Sequence, residues 1–339
     1  MNNNEKKILD MALPIALDNL LQMMGGIFIM GLLGRIDILA VGAVGLAVRI
    51  TSIIWSIFRG ITTASTVFTA QAYGAGNRKL MVNTAWQAIM STMLVTVVLE
   101  ILIIGFAPQI LLIFAPTPEI HLLAVKYLRV VALGLPFISI MQVCGGLMQG
   151  VGNAKAPMLI TLLLNTLIIG ISSAIIFMGG AERSTSLNGA AIATVLAQIA
   201  AFFAALYVIF GRDGTLKGEL FHDRRLHLPR LDLHRIKEIY RVGLPASAES
   251  LLWQISAIII TRVILSYGAT PFAAHQLGLQ AEALSYMPAT GLGVAATSLI
   301  GQALGAGDEK LAKEYFRKIM KLTMLVTSVP VSLFLLMPQ

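Results

Sequence analysis

Charged residues are scarce in this sequence. They make up 12% of it, whereas soluble domains carry about 25%. So few charges cannot provide the solvated surface that a globular protein needs, and the mean hydropathy is +0.81. The sequence therefore excludes an ordinary soluble fold and predicts an integral membrane protein.

Cysteines and catalytic motifs are also nearly absent. Cys144 is the single cysteine, which excludes an internal disulfide and a multi-cysteine metal site. The glycine-rich turns at 74–76 and 305–307 lack the strand–loop–helix context and the Lys-Ser/Thr ending of a phosphate loop. Because no nucleophile triad, metal-ligand set or nucleotide fingerprint is found either, we expect neither an enzyme nor a bound cofactor.

Long apolar runs are what the sequence does contain. A helix that crosses a membrane needs about 20 mostly apolar residues. The polar stretch before the first run lacks the shape of a signal peptide, so we expect that run to be retained. We predict an all-α, polytopic helical bundle with nine spans, at 10–33, 39–70, 84–108, 122–148, 157–178, 188–210, 243–266, 272–300 and 317–337.

Basic residues set the expected orientation. The net charge of +8 indicates loops that face anionic lipid rather than a nucleic-acid partner. With the N-terminus inside, most Lys and Arg residues fall on one side, above all in the polar loop 211–241. We therefore predict a multi-pass protein of the cell membrane with a cytoplasmic N-terminus.

An internal repeat runs through the sequence. Leu13-Pro14 recurs as Leu244-Pro245, and the segment 71–76 recurs as 302–307, both at an offset of 231 residues without a gap. Because six predicted helices separate the copies, both copies enter the membrane from the same side. This is a parallel repeat, which predicts two bundles facing each other across a cavity near the membrane midplane.

The repeat divides the chain into parts. We predict a six-helix lobe at 1–210, a basic cytoplasmic linker at 211–241, and the first three helices of a second lobe at 242–339. Pro108 closes the third predicted helix of the first copy, and the same offset places its counterpart at the last residue. The sequence thus predicts about nine of twelve spans, with the second lobe incomplete.

The sequence resembles the multidrug and toxic compound extrusion family. The resemblance implies two six-helix lobes that exchange Na⁺ or H⁺ for organic, often cationic, compounds. No single motif is specific, but the order and spacing of the matching stretches together are. These stretches are Leu13-Pro14, Gly34-Arg35, 71–76, 150–153, 188–194, 273–276 and 301–307.

Two positions depart from the family's usual pattern. The family usually has an Asp five residues before the Gly-Arg pair, where this sequence has Ile29. It often has another Asp four residues after the Asn that corresponds to Asn165, where this sequence has Ile169. The sequence instead resembles a bacterial branch with an acid four residues after the first Pro of each lobe, here Asp18 and Glu249.

Acids inside predicted spans are the candidate coupling residues. A central charge costs roughly 2.5–3.5 kcal/mol on insertion scales, so such residues usually face a cavity or a partner. A buried acid can exchange a proton, a sodium ion or an organic cation at one site. We expect Asp18, nearer the inner end, to be more hydrated than Glu249. The full set of predicted coupling and substrate-binding residues is Glu249, Asp18, Glu282, Asn165, Gln22 and Gln254, with Na⁺ at Glu249 as the alternative to a proton.

Other charges within spans have open roles. Arg262 is expected to pair within the bundle or to extend outward to the interface. His275 is expected to cap or pack the eighth helix. Arg49, Arg59 and Glu100 are candidates for internal ion pairs, without assigned partners.

The predicted function is secondary active antiport. We expect export of organic, typically cationic, small molecules in exchange for Na⁺ or H⁺ by alternating access, by a chain that is monomeric when complete. One alternative is a lipid-linked oligosaccharide flippase of related architecture. Such a flippase usually has a more basic cavity, which Arg49, Arg59 and Arg262 could provide. The other is a truncated remnant that does not transport.

Overall fold

The described part of the chain is entirely helical in the computed structural model. It comprises residues 3–34, 38–114, 116–178, 183–211, 231–267 and 269–336, and these form helices joined by turns, without a strand. The predicted all-α class is confirmed over these residues. The helices are α1 (Asn3–Gly34), α2 (Ile38–Gly74), α3 (Arg78–Leu112), α4 (Pro118–Ala132), α5 (Leu135–Gly150), α6 (Lys155–Met178), α7 (Arg183–Phe210), α8 (Leu233–Ser266), α9 (Ala269–Gly305) and α10 (Glu309–Leu336).

Each predicted span falls on a helix, and one span is bent. The predicted segment 122–148 covers both α4 and α5, which meet at an angle of 52°. Gly134 and Pro136 lie at this bend, and Pro136 occupies the first turn of α5, where its missing N–H is tolerated. Among the described residues, six helices are long and apolar enough to cross a membrane, or seven if the bent pair counts as one. The number nine stays a prediction.

The second predicted span is a single long helix. It extends over 37 residues as α2, and Arg49 and Arg59 are exposed on it rather than interrupting it. Most of the predicted basic linker, residues 212–230, lies outside the described residues, as does Arg35 of the Gly-Arg pair.

The helix boundaries follow the 231-residue offset. Helices α2 and α9 are both 37 residues long, and Ile38–Gly74 shifted by 231 gives the bounds of α9. Gly76 and Gly307 both adopt a positive φ, 66° and 76°, which glycine tolerates at a helix end. The residue after each caps the next helix with the same hydrogen bond. Asn77 Oδ1 accepts from Leu80 N at 3.0 Å and Asp308 Oδ1 accepts from Leu311 N at 2.9 Å.

Helices of the two copies contact each other reciprocally. A Cβ on Gly60 of α2 would lie 2.1 Å from the carbonyl oxygen of Gly243 on α8. At the equivalent positions, a Cβ on Gly291 of α9 would lie 2.8 Å from the carbonyl oxygen of Ala12 on α1. Such paired contacts, in which i meets j and the equivalent of i meets the equivalent of j, are typical of a two-fold relation.

The same reciprocity holds where α2 and α9 end. A Cβ on Gly74 would lie 1.9 Å from the Gln302 carbonyl oxygen, and a Cβ on Gly305 would lie 2.1 Å from that of Gln71. The backbones of α2 and α9 therefore touch at positions where no side chain could fit. Glycine is required there by the close approach of two helices rather than by backbone conformation.

These contacts between the copies gather at one end of the molecule. We call this end the base: α1 and α8 begin there and α2 and α9 end there. The contacts identified between the copies involve α1 up to Asn19, which donates to Thr290 Oγ1 at 3.0 Å, and α8 up to Ser247, which donates to the Ile57 carbonyl at 2.7 Å. Towards the opposite end, the mouth, Ile27 of α1 and Trp253 of α8 are exposed.

Most of the described buried apolar residues form two separate cores. The larger core joins α2 to α7 with the second half of α1, and many of its buried members are alanines, which allow close helix packing. The smaller core joins the first half of α1 to α9 and α10. Helix α8 contributes only Ile239 to the buried apolar residues that the structure describes.

Candidate functional site

Asp18 is a buried carboxylate on α1, one turn after Pro14. Its side chain is 4% exposed. Oδ2 accepts a hydrogen bond from Gln22 Nε2 at 3.2 Å, and the Thr161 hydroxyl of α6 is its other polar neighbour. Oδ1 is buried and has no hydrogen-bond partner among the described residues. The expectation that Asp18 is more hydrated than Glu249 is wrong, because Asp18 is covered by α6 whereas Glu249 is exposed.

Asn165 on α6 forms a hydrogen bond with α1 one turn beyond Asp18. Its side chain is buried, and Nδ2 donates to the carbonyl oxygen of Leu21. Gly25 makes room for it, since a Cβ there would lie 2.4 Å from Asn165 Oδ1. Three of the predicted site residues, Asp18, Gln22 and Asn165, therefore meet along one α1–α6 contact.

A cavity of about 170 Å³ lies beside this contact, inside the first bundle. Helices α1, α2, α4, α5, α6 and α7 border it, and its lining is mostly apolar. None of the described lining residues is charged. The lining residues with amide side chains are Gln22, Gln142, Asn165 and Gln198, and those with a hydroxyl or an indole N–H are Thr51, Trp55, Tyr127 and Thr194.

Ile29 is one reason why the lining of the cavity carries no charge. It is buried and lines the cavity, at the position where the resembling family usually has an Asp. Ile168, the neighbour of Ile169, also lines the cavity. Asp18 is not among the residues that line the cavity, but its hydrogen-bond partner Gln22 is.

Glu249 lies apart from this group. It is exposed on α8 and forms no hydrogen bond or ion pair within the described residues. Helix α1 packs on α6 and α9, whereas α8 packs mainly on α2, so the fold does not bring Asp18 and Glu249 together by helix packing. The offset nonetheless makes them equivalent positions, one turn after Pro14 and Pro245.

The remaining predicted site residues are not joined to the Asp18 group. Gln254 is half-buried on α8 and does not line the cavity. Glu282 is exposed on α9, in a stretch where several neighbouring side chains lie outside the described residues. His275, in the same stretch, is half-buried.

Sequence reasoning missed Gln142, Gln198, Tyr127 and Thr194. They are single polar residues within apolar runs, on three helices that are distant from α1 along the chain. The signal that could have found them is the one used for Asp18, since a polar side chain inside a span is costly unless it faces a partner or a cavity.

The other charged residues have peripheral positions. Arg262 is exposed and forms no ion pair within the described residues, so the predicted pairing inside the bundle is not found there. Arg49, Arg59 and Glu100 likewise form no ion pair with any described residue. Arg129 donates from Nε to the Ile104 carbonyl at 3.1 Å.

Curated relatives of this chain are named as multidrug resistance proteins. The chain is 31% identical over 311 residues to the probable multidrug resistance protein NorM of Thermotoga maritima, covering 90% of this chain and 64% of that protein. It is 29% identical over 308 residues to the probable multidrug resistance protein YoeA of Bacillus subtilis, covering 90% of this chain and 65% of that protein. The chain thus spans just under two thirds of the length of these relatives.

Solved structures of the same architecture match nearly the whole chain. A MATE structure in the bent conformation superposes with a TM-score of 0.89 at 22% identity, covering 99% of this chain and 73% of that one. A transporter of the MOP superfamily from Pyrococcus furiosus gives a TM-score of 0.85 at 22% identity, covering 99% and 72%. At this identity the likeness establishes the fold.

The family profile described as MatE matches residues 14–176 and 245–339. The two matched stretches lie on either side of the predicted linker and begin at Pro14 and Pro245, the paired prolines of the repeat. The families of these relatives are transporters rather than enzymes. This chain, a multi-pass membrane protein, belongs to the MatE family.

Proposed function

We propose that this protein is a secondary antiporter that exports organic compounds by alternating access. The observation that carries the proposal is the confinement of the identified contacts between the copies to the base, while α1 and α8 carry exposed apolar residues towards the mouth. If one of two bundles joined at the base rotates against the other, the base separates and the mouth closes. The Asn19–Thr290 and Ser247–Ile57 hydrogen bonds are among those that this rotation would break.

The proposed architecture has two lobes related by the 231-residue offset. The first lobe comprises residues 1–210, the linker 211–241, and the second lobe begins at residue 242, with twelve spans in the whole transporter. Matching helix bounds and reciprocal glycine contacts support this division. The basic linker supports a cytoplasmic N-terminus in the cell membrane, and the transporter would act as a monomer.

Coupling is assigned to Asp18 and Glu249. Both positions face the same way within the repeat, so Glu249 would face the second lobe's counterpart of α6. A proton or a sodium ion bound at these acids would exchange with an organic, cationic substrate. The names of the curated relatives support multidrug export. No observation favours the flippase alternative, because none of Arg49, Arg59 and Arg262 lines the cavity.

A transport assay tests this proposal. Proteoliposomes containing the protein are loaded with ethidium, and an inward proton or sodium gradient is imposed. We expect gradient-dependent release of ethidium that stops when the gradient is collapsed with an ionophore. Release that is equal with and without each gradient would contradict antiport.

A further inference from the structure

Gln22 connects the buried acid of the first bundle to the cavity. Its Nε2 donates to Asp18 Oδ2 at 3.2 Å, and the same side chain lines the cavity. A glutamine amide has one donor end and one acceptor end. While Nε2 is held by the carboxylate, Oε1 is the end left over, so the amide can offer the cavity an acceptor.

The carboxylate has an unused site for a proton. Oδ1 of Asp18 is buried without a hydrogen-bond partner among the described residues, and a buried polar atom in that condition is costly. A protonated carboxyl group would be a donor as well as an acceptor. The Gln22 amide, whose Nε2 already contacts Oδ2, would present its oxygen to that donor once the amide turns over.

We propose that Gln22 relays the protonation state of Asp18 into the cavity. When Asp18 is ionised, it holds the Gln22 amide nitrogen, and the cavity is offered a hydrogen-bond acceptor. When Asp18 takes up a proton, its hydroxyl donates to Gln22 Oε1, the amide turns over, and the cavity is offered a donor. The proton stays on Asp18, and no covalent bond other than its O–H is made or broken.

Few charged groups could interfere with this exchange. Helix α6 brings the neutral Thr161 to Asp18, and Asp18 forms no ion pair within the described residues. The charged or titratable residues on the other helices packed against α1 do not pair with it either. On α2, α6, α7, α9 and the part of α10 near α1, those with described side chains are Arg49, Arg59, Tyr73, Lys155, Tyr207, His275, Glu282, Tyr286, Glu314, Tyr315 and Lys318.

Two small neutral probes distinguish the two states of the cavity. A cavity of about 150 Å³ in another protein binds benzene, so a single ring suits this one. Phenol offers a donor and stays neutral below about pH 9, as the tyrosine side chain does. Benzonitrile has the same ring but offers only an acceptor. Saturation-transfer NMR on the purified protein measures the affinity of each probe between pH 4 and pH 8.5.

The relay predicts different pH dependences for the two probes. The hydroxyl of phenol can donate or accept, so phenol finds a partner in either state of the cavity, whereas benzonitrile only accepts and loses its donor at high pH. From low to high pH, the ratio of phenol affinity to benzonitrile affinity should rise about five-fold, which is the worth of one neutral hydrogen bond. In Gln22→Met and in Asp18→Asn the ratio should not change with pH. Gly26→Leu should weaken both probes, because Gly26 lines the cavity and a Cβ there meets nothing within 4 Å.

The outcomes separate the relay from the transport function on which it rests. Binding is measured without any gradient, so a protein that fails to export ethidium can still show the ratio change. A flat ratio in the unmodified protein overturns the relay, whether or not Asp18→Asn folds. A pH dependence that survives in Gln22→Met overturns it too, as does binding that survives unchanged in Gly26→Leu.

Discussion

At the scale of single residues, the role of each polar group depends on the partners and the space that it contacts. Asp18 is covered by α6 and linked to a cavity, whereas Glu249 is exposed, although the two positions are equivalent along the sequence. A backbone carbonyl in α3 depends on its partner in the same way. Pro108 has no N–H, so the Ile104 carbonyl loses its helix partner, and Arg129 supplies a donor instead.

The proposed coupling acids should be separable from other carboxylates by mutation. Glu249→Gln and Asp18→Asn keep the shape of each side chain and remove its charge, so gradient-driven ethidium efflux should fall to background in both while protein levels are unchanged. Glu100→Gln, at a half-buried acid on α3 away from the cavity, should retain efflux. Efflux at the unmodified rate in both Glu249→Gln and Asp18→Asn would show that these acids are structural.

Arg129 should contribute to stability through the Ile104 carbonyl. Arg129→Met leaves that carbonyl without a donor and should lower the free energy of unfolding by about 1 kcal/mol. His121→Ala is the matched control, because Pro108's carbonyl, which His121 contacts at 3.0 Å, retains its own helix partner and should lose less. Thermal unfolding in detergent measures both, and an equal loss would contradict the assignment.

At the scale of helices, the base is built from glycines that no side chain can replace. Gly60 meets the backbone of α8, and its counterpart Gly291 meets the backbone of α1. Equivalent glycines at equivalent contacts indicate that α2 packs on α8 in the same way as α9 packs on α1. Substitutions at these positions should therefore act on the joined base rather than on one helix.

Gly60→Ala should destabilise the protein because its Cβ would lie 2.1 Å from the Gly243 carbonyl oxygen. We expect a loss of about 1–3 kcal/mol, as for overpacked cores. Gly45→Ala on the same helix meets nothing within 4 Å, and should be neutral or stabilising by up to about 1 kcal/mol, since alanine favours helix. Equal unfolding temperatures for the two variants would rule out the close contact.

Helices were predictable from the sequence, and the cavity was not. Long apolar runs fix where helices lie, and the paired prolines and glycines fix which helices are equivalent. The bend at Gly134 was hidden because the apolar run continues through it. The cavity depends on six helices meeting at particular angles, so Gln142 and Gln198 give no sign in the sequence that they share a space with Asn165.

At the scale of the whole molecule, the account rests on movement of one copy against the other. The copies are joined at the base and carry exposed apolar residues towards the mouth. In alternating access, closing the mouth must open the base, because the same rotation does both. The distances at the two ends should therefore change together and in opposite directions.

Spin-label distances at both ends test this claim most directly. In a Cys144→Ala background, one label pair is placed at the mouth, at Ile27 and its counterpart Ile258. The other is placed at the base, at Lys6 and its counterpart Lys237, and all four positions are exposed. Double electron–electron resonance is recorded in lipid at high and low pH, with and without Na⁺ and ethidium. The account predicts that a condition that shortens the mouth distance lengthens the base distance; two distances that stay fixed in every condition, or that change in the same direction, would contradict it.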